Sequence, residues 1–459
     1  AAGGVTTYEY DDLGRQTAII GPLGGRSTYT YDQFGNLANF VDPTGRQTSY
    51  TYDSLGNLTQ STFADGKAVT YTYNSQGLVT SVTDALGNKT EHVYNSRGQL
   101  LSEILPAVPD PAQGGALVNP TYTYTYDTMS HLLSTTDPLG RTTSYTYDAV
   151  GNLLTTTKPN GEISRREYTD QDRISRSIDF NGQVTQFTYD TFGQILSKTY
   201  FSTEAEADAG APLYTVEFEY NALGQLETVD DPRVGLTTYH YDTNGLLIQA
   251  DTPQAVLHYA YDEATGELVG ISTDSTDLRY TYNSIGALQT ASAHALNGQA
   301  LGAPLATTYT YTTAGSLASE TLPNGVQTTY VYNVVDDLVY EVVKDANGQI
   351  LSQSDYVNDA NGNYLEVTHS QRESDNSLSQ TKLTYTYDAL GRLTQEESQD
   401  LTGGRSQFDY VTAYTYDLAG NRLSTATTSA AAGSVTVAYA YDDNDQLLTE
   451  TSSEGTVTT

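Results

Sequence analysis

Along almost the whole chain, ring-bearing and polar positions alternate in short runs: Tyr50-Thr51-Tyr52, Tyr71-Thr72-Tyr73 and Tyr145-Thr146-Tyr147 each set two rings two residues apart with a threonine between them. A period of two puts both rings on one face of a β-strand and the threonine on the other. Tyr and Thr both suit a pleated, half-buried surface. No stretch carries the 3.6-residue apolar stripe with flanking caps that marks a helix. The pattern predicts strands throughout and very little helix.

Each run ends in Asp or Asn, followed three residues later by Gly and then by Leu. Clear copies are Tyr29, Tyr31, Asp32 and Gly35; Tyr50, Tyr52, Asp53 and Gly56; Tyr145, Tyr147, Asp148 and Gly151; Tyr385, Tyr387, Asp388 and Gly391; and Tyr414, Tyr416, Asp417 and Gly420. The acidic or amide position recurs at 11, 32, 53, 74 and 95, a spacing of 21 residues, and then at 127, 148, 190, 221, 242, 262, 283, 333, 359, 388, 417 and 442. With degenerate copies at Thr169 and Thr312 there are 19 units. Asp can bond the backbone two residues on and Gly accepts positive φ, so each copy marks a turn. A second turn signal follows about ten residues later, as in Asp42-Pro43-Thr44-Gly45-Arg46 and Asp137-Pro138-Leu139-Gly140-Arg141, where Pro and Gly meet the demands of type I and II turns.

Two turns per unit make each unit a β-hairpin, and successive hairpins make one antiparallel meander. Nineteen hairpins give roughly 38 strands and, at about 4.7 Å per strand, a sheet on the order of 180 Å wide. Open twisted sheets rarely exceed about ten strands without curling. The fold expected is therefore all-β, a continuous meander spiralling into a hollow β-shell or wound β-barrel, with residues 1–459 as one repeat array and no separate domain. Irregular spacings near 105–115, 203–212, 294–304, 369–380, 396–407 and 426–434 read as longer loops or lengthened strands, since the repeat resumes on both sides.

Composition narrows the function. Lys and Arg number 21 against 56 Asp and Glu, a net charge of −35, which excludes a phosphate-binding surface built on counterion release. Tyr supplies 39 residues against 9 Phe and no Trp, unlike a disordered polyanion. Cys is absent, which removes disulfides and thiolate chemistry. No apolar window approaches the about 18 residues of a membrane-spanning helix. The start, Ala1-Ala2-Gly3-Gly4, has neither an initiator Met nor a leader pattern, so the chain reads as an interior or mature segment.

The runs Tyr50-Thr51-Tyr52-Asp53-Ser54-Leu55-Gly56-Asn57-Leu58 and Tyr385-Thr386-Tyr387-Asp388-Ala389-Leu390-Gly391-Arg392-Leu393, with Tyr414 to Leu423, resemble the YD repeats of Rhs proteins, toxin-complex cocoon subunits and teneurins. The resemblance covers essentially the whole chain and implies repeats wound into a hollow β-shell. It implies too that a core region and a C-terminal toxin belong to such a protein. Here the Asp-Pro-x-Gly turns run into Arg46-Gln47-Thr48 and Arg141-Thr142-Thr143, so they are repeat turns and no residue inherits the autoprotease role of the family's core. That core, the toxin domain, the plug and EGF-like modules are absent from this sequence.

Other chemistry is weak. His92, His131, His240, His258, His294 and His369 show no metal-site spacing, and His92 and His240 read as sheet residues. The adjacent pairs Asp230-Asp231, Asp336-Asp337 and Asp442-Asp443 suit turns better than acid–base work. Asp442, Asp443, Asn444 and Asp445 lack the EF-hand spacing for calcium. The sequons at Asn57 and Asn88 overlap the repeat consensus. The tyrosine ladder could stack flat ligands, but its 21-residue phase makes it packing first. The sequence thus predicts no catalytic residue, cofactor or metal. It predicts a secreted or cell-surface, bacterial shell wall that encloses or carries a C-terminal effector encoded beyond Thr459. The alternative is an extracellular structural or adhesive array. Expected partners are its own flanking domains or an enclosed effector, with other copies or a surface receptor or glycan next; nucleic acid and membrane insertion are not expected.

Overall fold

In a computed structural model of the chain, the described residues are 5–21, 24–430, 433–453 and 455–457. The reading of Ala1 to Gly4 and part of the 426–434 excursion lie outside them. The chain is all-β. Thirty-nine strands belong to an antiparallel meander, and Val108–Asp110 with Ala116–Val118 form a separate two-stranded hairpin. Thus Leu37–Val41 pairs with Gln47–Tyr52, which pairs with Leu58–Thr62, then Ala68–Tyr73, then Val79–Thr83. Thr121–Tyr126 begins the same progression through Leu132–Thr136, Thr142–Tyr147 and Leu153–Thr157. Among the described residues the first strand, Thr7–Tyr10, pairs with Gln16–Ile20 alone and the last, Gly455–Val457, with Leu447–Ser452 alone.

The described residues fall into two compact units. Unit 1 comprises Ala1–Lys89 with Gly235–Ser354, and unit 2 comprises Thr90–Val234 with Asp355–Thr459. Both are built from the same hairpins.

The excursions differ in kind. Residues 105–120 carry the separate hairpin, tipped by a 3-10 turn at Pro111–Gln113. Residues 294–304 and 369–380 are lengthened strands, Gln299–Tyr311 reaching 13 residues. At 203–212, where loop or strand was expected, a one-turn helix forms over Glu204–Asp208. Its cap is a reciprocal box: Thr203 accepts from the Glu206 N–H, and the Glu206 carboxylate accepts from the Ser202 N–H. The helix lays Ala207 on Ile178, Val184 and Phe201, a buried apolar cluster in a sheet that buries few side chains fully. No helix among the described residues is long and apolar enough to cross a membrane.

Candidate functional site

The repeated Tyr-x-Tyr-Asp turn, here called the YD turn, is the one constellation found all along the chain, and residues 50–58 show how it is built. Strand Gln47–Tyr52 enters the turn and Leu58–Thr62 leaves it. The Asp53 N–H donates to the Asn57 carbonyl at 2.9 Å and the Gly56 N–H to the Asp53 carbonyl at 3.1 Å. Gly56 sits at φ +84°, a conformation an L side chain resists. One Asp53 carboxylate oxygen accepts from the Leu55 and Asn57 N–H groups, both at 2.9 Å, and the other from the Asn57 side-chain amide. These donors, the Asn57 side chain foremost, hold the Asp53 carboxyl below its usual range. The turn leaves a β-bulge behind it: Thr51 faces Gln60 and Tyr52 faces Leu58, so Thr59 has no partner across the ladder.

The second tyrosine of each unit reaches back to the preceding one. The Tyr52 hydroxyl donates to the Leu37 carbonyl at 2.9 Å, Tyr73 to Leu58 at 2.7 Å, and Tyr31 to Gln16 at 2.7 Å. Tyr147, Tyr387 and Tyr416 donate likewise to Leu132, Tyr364 and Leu393. The acceptor is the first strand residue after the previous turn, where the bulge exposes its carbonyl. A bond of this kind contributes about 1 kcal/mol net, and it ties each hairpin to its predecessor. Burial pushes the phenol of Tyr387 up to about 12. Between the rings, Thr51 is exposed and bonds Thr59 at 3.1 Å, while Tyr50 and Tyr52 are half-buried. Tyr29 faces Phe40 across the ladder, ring centroids 5.2 Å apart.

Asp32, Asp148, Asp388 and Asp417 hold their turns as Asp53 does, each binding backbone N–H groups and the side chain four residues on, which is Asn36, Asn152, Arg392 and Asn421. Gly35, Gly151, Gly391 and Gly420 all have positive φ. The structure gathers each set of four around its own turn and does not bring the five sets together. That fourth residue was visible in the sequence as a recurrent Asn or Arg after the glycine, yet its role as second ligand of the aspartate was not read. His131 takes the place in the turn of Asp127, its ring 2.9 Å from the carboxylate. The second turn type repeats the scheme: Asp42, almost fully buried, accepts from the Thr44 and Arg46 N–H groups and from the Arg46 guanidinium.

Within each unit, second-type turns of an early stretch meet YD turns of a late stretch. In unit 2 the Arg141 guanidinium donates to the Leu418 carbonyl at 3.2 Å. Lys158 donates at 2.7 Å to both the Asp443 carbonyl and the Asp445 carboxylate, with its ammonium over the Phe180 ring. Asn181 donates to Asp442, and Asn444 to Asp179, both at 2.8 Å. In unit 1 a Cβ on Gly25 would lie 2.7 Å from the Ser284 carbonyl oxygen, and one on Gly315 would lie 3.1 Å from the Arg46 guanidinium. A cavity of about 540 Å³ opens along this edge, lined by Phe40, Phe63, Val69, Ala314, Val334 and Val335 among others. In unit 2 the inserted hairpin walls a cavity of about 590 Å³ with Pro109, Pro111, Tyr122, Tyr385 and Tyr387.

The remaining candidates are placed as follows. His92 and His240 lie in strands, His240 2.8 Å from the Asp251 carboxylate. Asp442 and Asp445 spend their carboxylates on amide and ammonium donors of the unit 2 seam, and no group of three or more His, Cys, Asp or Glu placed for a metal occurs among the described residues. The Asn57 and Asn88 amides are turned onto Asp53 and Asp84.

Residues 10–39, 31–68, 52–89 and 73–107 match the RHS repeat family, and residues 116–250 match the teneurin YD-shell family. This is an RHS/YD-repeat chain. Among solved structures, the repeat array is similar to TcdB2-TccC3 without its hypervariable C-terminal region, at 17% identity and a TM-score of 0.67 over 96% of this chain and 26% of that one. It is similar to the Photorhabdus luminescens Tc holotoxin pore at 17% identity and a TM-score of 0.67, over 95% of this chain and 26% of that one. TcdB2-TccC3-TEV gives 16% identity and 0.66 over 97% and 26%. The YD-repeat chain thus spans about a quarter of the length of the solved structures it matches. At these identities the likeness is one of fold. No curated protein matches the sequence.

Proposed function

We propose that residues 1–459 form one repeat array that serves as non-catalytic wall of a secreted YD shell, enclosing or carrying an effector polypeptide. The observation that carries this reading is the fold likeness over 96% of the chain to TcdB2-TccC3. The chemistry of the motif agrees: the tyrosine hydroxyls and aspartate carboxylates of the YD turns are spent on the chain's own backbone and on one another, as a wall requires. The partner is the effector polypeptide, and the cell exterior is where the protein works. The test appends an unstructured reporter after Thr459 in the full chain and follows its digestion by a nonspecific protease. Protection of about tenfold over the free reporter, lost when the sheet is unfolded in urea, supports a wall; digestion at the free rate sinks the idea.

A second reading, an extracellular adhesive or fibrous array, is favoured by the large apolar side chains exposed at turn tips, Phe34 and Phe192 among them. Electron microscopy separates the two, since fibres built of repeats favour the second and discrete particles the first.

A further inference from the structure

The third residue of a YD turn forms its tip, and the same position has two fates. In the late stretches that carry a seam it is half-buried at Ile285 and Val335 of unit 1 and Leu390 of unit 2. In the early stretches nothing covers it: Phe34 is 80% exposed, Leu55 81%, Phe192 87% and Leu223 80%. In unit 1 these tips recur every two strands, at Leu13, Phe34 and Leu55, a pitch of about 9.5 Å along one sheet edge. Isolated exposed apolar residues are ordinary. A periodic row on the edge type that the same unit already uses as an interface is not.

We propose that this row is a docking edge for a further stretch of YD-repeat sheet, received through second-type turns that carry Arg or Lys. The established seams define that partner. What lies against a late YD edge is always an early second-type edge, and the side chains that cross from it include Arg141 and Lys158, which end on turn carbonyls and on Asp445. The early YD edge offers the same acceptors at the turns of Asp11, Asp32 and Asp53 beside apolar tips.

A second copy of this chain lacks the complement. The second-type turns left exposed in the late stretch of unit 1 close on Val326 and Gln349 where Arg46 and Arg141 close the docked ones. In the turn of Asp345, whose oxygen already accepts from the Gln349 N–H, an arginine at 349 would pair with the carboxylate as Arg141 pairs with Asp137, through Nε. Its terminal nitrogens would be left to reach across. The proposal does not depend on what, if anything, the sheet encloses.

The test uses the full chain as its own probe. At low ionic strength, sedimentation should find the V326R/Q349R chain associating about tenfold more tightly than the unsubstituted chain, the scale of a complementary charged contact. Adding Phe34→Asp with Leu55→Asp should return it to the unsubstituted behaviour, and salt should weaken it. Because the chain has no Cys, a disulfide between V326R/Q349R chains carrying Leu55→Cys and chains carrying Asn347→Cys reports the joint directly, whatever the affinity. A folded V326R/Q349R chain that neither associates nor cross-links overturns the proposal. So does association that ignores Phe34→Asp and Leu55→Asp, and so does equal association of the unsubstituted chain, which would make the cation irrelevant.

Discussion

In unit 2 the seam is crossed by charged and amide side chains, with Arg141, Lys158, Asn181 and Asn444 bonding turns some 260 to 290 residues away in sequence. In unit 1 it is made by the bare approach of Gly25 to Ser284 and by Arg46 against Gly315, beside an apolar cavity. The repeat motif is the same in both. Local turn geometry is therefore fixed by the motif, while the long-range joint is set by positions the motif leaves free, and it can be solved by contact or by charge.

The largest effect expected is in the contact seam. Gly25→Leu puts side-chain atoms where the Ser284 carbonyl lies and should destabilise unit 1 by about 3 kcal/mol, the upper end of overpacking costs. Urea unfolding and proteolysis should register it in residues 21–25 and 283–287 and leave the unit 2 turns unchanged. A neutral outcome would show that the approach is not close and would erase the contrast.

Next comes the charged seam. Lys158 is 13% exposed at its side chain and Asp445 38%. Lys158→Met should cost about 2 kcal/mol, the range of hydrogen bonds to charged groups, reduced where Asp445 meets solvent. At about 1 M salt, where screening reaches about 3 Å, amide exchange in turns 417–421 and 442–446 should accelerate while 283–287 holds. Equal salt response in both seams would break the comparison.

Acid should sharpen it further. Asp442 is held below the usual carboxylate range first by the Gln446 N–H, while at Asp445 burial pushes upward and the bonds from Lys158 and Asn421 outweigh it. A lowered folded value means the stabilisation is present above the ordinary carboxyl value of about 4 and is lost as pH falls through the folded value. Asp42 is lowered too, burial pushing upward and the bonds from Thr44 and Arg46 prevailing, but its partners lie within its own turn. Falling pH should therefore open the unit 2 seam and, in unit 1, loosen the 42–46 turn while Gly25 stays against Ser284. Exchange measured from pH 6 down to about pH 3 reads both, and a Gly25 contact that opens with acid would contradict the assignment.

Smaller effects test what the units share. Tyr52→Phe in unit 1 and Tyr147→Phe in unit 2 each remove one backward bond and should cost about 1 kcal/mol apiece. Tyr52→Ala, which also deletes the ring, should expose the 53–56 turn to protease. Thr51→Ser should stay within about 0.5 kcal/mol; matching the tyrosine change would mean the wrong face had been taken as exposed.

The hairpins were legible because every cue lies within one 21-residue period: the alternation of Tyr50-Thr51-Tyr52, the carboxyl of Asp53 and the glycine at positive φ. The bulge at Thr59 was not, since a period of two on the incoming strand carries no sign of an extra residue on the outgoing one. The helix at Glu204–Asp208 announced itself in Thr203 and Glu206 and was passed over for the surrounding strand pattern. The seams were out of reach: nothing local to Lys158 or Asn181 marks a partner beyond residue 440.

The tyrosine bond also gives the array a direction. Each hydroxyl seeks a carbonyl in the unit already synthesised, never one still to come. At about 5–20 residues per second a ribosome releases one unit every few seconds, while a hairpin forms in about 1–10 μs. Every newly emerged hairpin thus finds its template finished, and the sheet can grow as a ratchet from its N-terminal side, each tooth locked before the next appears.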